Sequence, residues 1–148
     1  MRTYMKTNRF TISLVILLMT VGCVTRVPHS SVSEDAAAKT FQTTPSMANL
    51  YLYREPGFVG SKVGWDVALD GRTLGVLTSG TYIFREIEPG RHILSRLQIV
   101  KPIHLAAGRN HFFRIDPSFA ESMTKFVEVS EQEGRAAVSK RPRVTTLY

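Results

Sequence analysis

From position 63 the chain alternates with a period of two. Val63, Trp65, Val67 and Leu69 are apolar, with Gly64, Asp66, Ala68 and Asp70 between and after them. This spacing puts four apolar side chains on one face of a β-strand. Asp70-Gly71 follows, a pair that accepts the positive φ angles of a tight hairpin turn. Residues 72–78 then return with Leu74 and Val76 inward, and Gly80 interrupts the run. Residues 81–87 form a third strand, ended by the turn pair Pro89-Gly90. Upstream, ANLYLYR at 48–54 predicts a strand with Leu50 and Leu52 on one face and Tyr51 and Tyr53 on the other. Downstream, residues 91–100 read as one strand in which Ile93, Ser95, Leu97 and Ile99 share a face. Short strands over 103–106, 111–115 and 125–129 complete the series. Phe112 and Phe113 point to opposite faces, and Pro117 ends its strand because it has no backbone donor. Ser130 and Glu133 have the spacing of a capping box, which predicts a helix over 131–139 that Gly134 weakens. The last eight residues, RPRVTTLY, are expected to fray. About seven short strands with regular turn signals predict an all-β fold, an antiparallel β-sandwich over residues 47–130 with a short C-terminal helix and tail over 131–148.

The first 46 residues have a different character. Arg2, Lys6 and Arg9 make a basic start, residues 10–21 (FTISLVILLMTV) an apolar stretch, and Gly22 precedes Cys23. At about 12 residues the apolar stretch is short of the ~20 that cross a bilayer as a helix. The pattern predicts a cleaved N-terminal signal helix over 1–22, for which Met1 and Met5 are equally good starts. Thr20-Val21-Gly22-Cys23 resembles a bacterial lipobox, with leucine rather than threonine usual at the first place. The resemblance implies cleavage between Gly22 and Cys23 and acylation of Cys23. It also implies outer-membrane sorting, facing the periplasm, because Val24 stands where aspartate would favour inner-membrane retention. Residues 23–46 are rich in Ser, Thr, Ala and Pro without an apolar period, so they are expected to form a lipidated flexible tether spanning roughly 25 Å.

Charge and cysteine usage narrow the function classes. Of 19 basic side chains three lie in the signal, leaving 16 against 12 acidic ones, a net of +4 for the processed chain. That mild excess suits anionic headgroups or glycans and is no nucleic-acid footprint. A single cysteine, Cys23, excludes an internal disulfide and a cysteine-rich zinc site. No G-x-S-x-G elbow is present. His92, His104 and His111 are the histidines of the domain. They lack the i, i+2 spacing that puts two imidazoles on one strand face, and no metal or cofactor is expected. Asp66, Asp70, Glu86, Glu88, Glu128, Glu131 and Glu133 fall at exposed parities or near turns. None is marked as the apolar-shielded acid of glycosidase chemistry. Tyr51, Tyr53, Tyr82, Phe84 and Phe112 are read as core and cross-strand aromatics rather than as a stacking platform.

The segments LYLYR at 50–54, Gly60, VALDG at 67–71, GVL at 75–77, GTY at 80–82, PGRH at 89–92 and AGRNHF at 107–112 occur in that order. Together they resemble the domain of unknown function 2846, found in bacterial lipoproteins and secreted proteins. The resemblance implies a compact β-sandwich similar to small envelope modules and carries over no catalytic residue. The expected function is that of a non-enzymatic, cell-envelope lipoprotein. It is held to the membrane through Cys23, and its sandwich is an interaction or accessory module for an envelope protein or glycan. A carrier of a glycan, lipid or small apolar ligand is the alternative. Nucleic acid is not expected as a partner.

Overall fold

The computed structural model describes residues 27–57, 61, 63–117 and 124–147. The signal segment, Gly22, Cys23 and Gly60 lie outside the described residues. Eight strands follow one another: β1 (Ala48–Tyr53), β2 (Trp65–Leu69), β3 (Arg72–Leu77), β4 (Tyr82–Ile87), β5 (Gly90–Arg96), β6 (Ile99–Leu105), β7 (Asn110–Asp116) and β8 (Lys125–Val129). A helix α1 (Val32–Ala38) precedes them and α2 (Glu131–Ser139) follows. The strands form two four-stranded sheets, ordered β4-β1-β7-β8 and β3-β2-β5-β6. The all-β sandwich with a short C-terminal helix is therefore present. β1 and β7 run parallel, and the other ladders are antiparallel. Among the described residues no helix is long and apolar enough to cross a membrane.

β1 shows why the layers stack as they do. Every residue of it is buried, because its two faces meet different cores. Leu50 and Leu52 point into the inter-sheet core with Val67, Leu74, Leu94, Leu105 and Phe113. Tyr51 and Tyr53 join Tyr82, Phe112, Phe41, Ala38 and Val138 in a second core, closed over by the two helices. The Tyr51 ring stacks on Phe112 at 4.7 Å between centroids, and its hydroxyl donates to the Ala38 carbonyl at 2.7 Å. The alternation in LYLYR is thus apolar against aromatic, with both sets inside.

Several sequence expectations are corrected. Residues 91–100 are not one strand but a hairpin turning at Leu97-Gln98, where Arg96 pairs with Ile99. Leu94 is the inward residue of β5, and Ile93 and Leu97 are exposed. The apolar alternation there marks the outer face. In β3 the register slips between Val67 and Ala68 of its partner, so Leu74 is buried as an extra residue. Val76 then pairs with Asp66, on the outer side. Val63, two residues before β2, is exposed.

A further correction concerns both ends of the domain. Residues 27–46, expected to be a free tether, are docked from Val27 onward. His29 bridges to Val144, and Ser30 donates its backbone N–H to the Arg143 carbonyl at 3.0 Å. α1 carries a full capping box. The Ser31 hydroxyl accepts from the Glu34 backbone, and the Glu34 carboxylate accepts from the Ser31 N–H. The Ser-x-x-Glu spacing at 31–34 is in the sequence and carries that signal. The tail does not fray either. Pro142, Val144 and Leu147 form backbone hydrogen bonds to Tyr82 and Leu74, so the tail crosses from the β4 edge to the β3 edge. Val144 is fully buried there. At α2 the Ser130 cap forms as expected, but the Glu133 carboxylate turns away to Arg114 at 2.7 Å.

Candidate functional site

The two ends of the sheet order differ. β3 and β4 are crossed by the tail, whereas β6 and β8 are outer strands whose edges no other segment pairs with among the described residues. Between them lies a groove of about 620 Å³, bounded by Lys101, Ile103 and His104 of β6, Arg91 and Ile93 of β5, and Glu128 of β8. Pro102 sits in the middle of β6 and removes one donor from that free edge, the usual place for a strand proline. The groove combines apolar side chains with both signs of charge.

His92 and Asp70 form its floor. Asp70 occupies the hairpin turn at φ 50°, a left-handed position that aspartate tolerates, with Gly71 next at 78°. From there one carboxylate oxygen accepts the Ile93 N–H at 2.8 Å, and the other meets His92 Nδ1 at 2.7 Å. His92 Nε2 lies 2.8 Å from the Glu88 carbonyl. Carboxylate and carbonyl are both acceptors, so the protonated ring, with two donors, satisfies both of them. Burial of the ring opposes that charge, but the bonds to Asp70 and Glu88 outweigh it and hold His92 above the ordinary histidine value. Burial likewise opposes the Asp70 charge, and the His92 and Ile93 donors overcome it, holding Asp70 below the usual carboxylate range. The pair clamps the β2–β3 turn to β5.

Of the other groups considered for chemistry, His111 Nδ1 lies 4.0 Å from a Glu128 carboxylate oxygen. His104 is exposed on β6, while His111 lies in the other sheet and its Nε2 accepts the Ala106 N–H at 2.9 Å. Among the described residues no three His, Cys, Asp or Glu side chains gather as a metal site. Asp66, Glu86 and Glu88 are exposed. Glu131 pairs with Arg135 at 2.6 Å, a bond that holds its carboxyl low against slight burial. A general acid needs the opposite shift. The tyrosines are locked as donors. Burial, then the Glu133 charge, pushes Tyr53 up to about 12, and burial raises Tyr51 and Tyr82 as well.

Two features were not foreseen from sequence. Trp65 lies between two guanidiniums, with Arg54 at 3.6 Å and Arg96 at 4.8 Å from its ring centroid, and borders a cleft of about 160 Å³. The groove itself unites residues from β5, β6 and β8, which no local pattern joins. The one sequence sign of it is Pro102, which marks β6 as an edge.

A family model described as a protein of unknown function (DUF2846) matches residues 44–136. No curated protein and no solved structure matches the chain.

Proposed function

The chain belongs to the DUF2846 family of proteins of unknown function, and on that premise we propose that it is a non-enzymatic lipoprotein of the bacterial cell envelope. Its sandwich receives an envelope partner along the groove between β6 and β8. The observation that carries this reading is the coincidence of that groove with the free edges of both sheets, while the tail crosses the opposite edges. An extended segment laid there has backbone groups of β6 to pair with, Ile103 and Ile93 for apolar side chains, and Lys101 and Glu128 for charges. Both His92 nitrogens are taken up in holding the β2–β3 turn to β5, which supports a structural part for this histidine. Anchorage through acylated Cys23, on the periplasmic side of the outer membrane, rests on the lipobox-like TVGC segment and Val24.

The groove is also larger than the ~300 Å³ that a small ligand requires, which supports the carrier reading. A photo-crosslinking residue in place of Lys101, in cells, separates the two. A single saturable protein adduct, absent when the same residue replaces the exposed Ala136 and absent with Cys23→Ser, is the expected outcome. Equal adducts from both positions overturn the adaptor. The carrier reading then predicts a low-molecular-weight adduct at position 101.

A further inference from the structure

Among the described residues the outer face of the β3-β2-β5-β6 sheet has no covering layer, since α1 and α2 both pack on the other sheet. Cross-strand pairs Ile93–Pro102 and Ser95–Val100 lie on it, next to Ala68. Ile93 is 46% exposed, Val100 59%, and Leu97 at the hairpin tip 79%. Leu97 also has φ 52°, a left-handed conformation that an aliphatic side chain resists, and no buried contact compensates it. Contiguous exposed apolar surface of this kind marks an interaction face.

The position of the anchor says what covers it. The chain is fixed from Val27, which packs against the core beside Gly64 and Val76. Val76 pairs with Asp66 on this same outer face. The Pro28 carbonyl is held by the Thr145 N–H at 2.9 Å. Cys23 precedes Val27 by four residue steps, a reach of at most ~14 Å. A freely swinging tether of the whole 23–46 segment would have allowed any orientation; a link of four residue steps holds Val27 within that reach of the anchor. Exposed Arg91 on this face complements anionic headgroups.

We propose that the anchored protein lies with the outer face of its β3-β2-β5-β6 sheet against the lipid surface, Val100 and Leu97 at the headgroup boundary. This rests on the acylation of Cys23. The groove between β6 and β8 then opens at the rim of the apposed face, facing along the membrane.

Because acylation consumes the one native cysteine, a second cysteine can be labelled alone. Nitroxide labels at Val100→Cys and, on the helical side, at Ala136→Cys are placed in the full lipidated chain. The vesicles are of phosphatidylethanolamine and phosphatidylglycerol, and collision rates with oxygen and a nickel chelate are read. Lipid apposition predicts a several-fold drop in nickel access and a rise in oxygen access at position 100, with position 136 unchanged. Equal nickel access at both sites, with lipid on Cys23 verified by mass spectrometry, overturns the apposed face and leaves the anchor standing. Shielding of position 100 from both reagents also overturns it, because the cover is then protein. An unmodified Cys23 overturns anchor and face together.

Discussion

The backbone of Gly134 in α2 rests directly on the ring of Phe112 in β7, so close that a methyl group at position 134 would overlap the ring. Gly134 and Phe112 are both buried. The glycine that weakens the helix by its own propensity is what lets the helix reach the sheet.

Gly134→Ala is therefore expected to destabilise the protein. Helix propensity favours alanine by ~1 kcal/mol, but forcing a methyl into a packed contact costs about 1–3 kcal/mol. Urea unfolding should show a lower midpoint with unchanged slope. A raised midpoint would mean that α2 lifts off Phe112 without cost.

The Asp70–His92 clamp predicts a pH dependence. The His92 pKa is raised above 6.5, so its contribution is present below pH 6.5 and is lost as pH rises through the folded value. The Asp70 pKa is depressed below 3.8, so its contribution is present above pH 3.8 and is lost as pH falls through the folded value. Asp70 is about half exposed, which limits the pair to under ~1 kcal/mol. Asp70→Asn keeps an acceptor for the Ile93 N–H and a residue tolerant of positive φ. It should reduce the stability lost between pH 5.5 and 8, read by denaturant unfolding at both pH values. An undiminished loss in the variant would remove the pair as its source.

Tyr82 ties α1 to the sheet through its hydroxyl, 2.8 Å from Asp35 Oδ1. Asp35 also accepts from Lys39 and from the Arg143 N–H. Tyr82→Phe removes one donor to a charged acceptor, a loss of about 1.5 kcal/mol. Amide exchange should quicken first in residues 32–38. Uniform quickening through β1 would show that α1 does not open separately.

Val144→Ala should cost about 1–3 kcal/mol, the range for a buried truncation. Because His29 and Ser30 bond to this part of the tail, the effect should also reach the N-terminal segment. Limited proteolysis between residues 29 and 46 is the readout. Unaltered resistance there would separate the two ends.

Strand positions were legible because burial has a period of two, and LYLYR, VALDG and the 131–139 helix appear where local pattern puts them. Face assignment failed at Ile93 and Leu97, where apolar residues lie on an uncovered face and the pattern cannot tell inside from outside. Val76 was misassigned because a bulge shifts parity without leaving a sequence mark. The docked ends were missed because their partners are the other end of the chain. Ser30 and Val144 bond across 114 positions. The groove depends on strand order across three elements, and only Pro102 hints at it.

That last pairing has a bearing on how the chain matures. The segment beginning at Val27 seats on the tail, and the tail seats on β4 and β3, so the earliest residues of the domain wait for the latest to be synthesised. Closing so long a loop is slow and comes late in folding. Until residues 142–147 emerge, the β3 and β4 edges and the seat of α1 stay open. The first and last described segments are thus held by one shared seam, and neither is complete without the other.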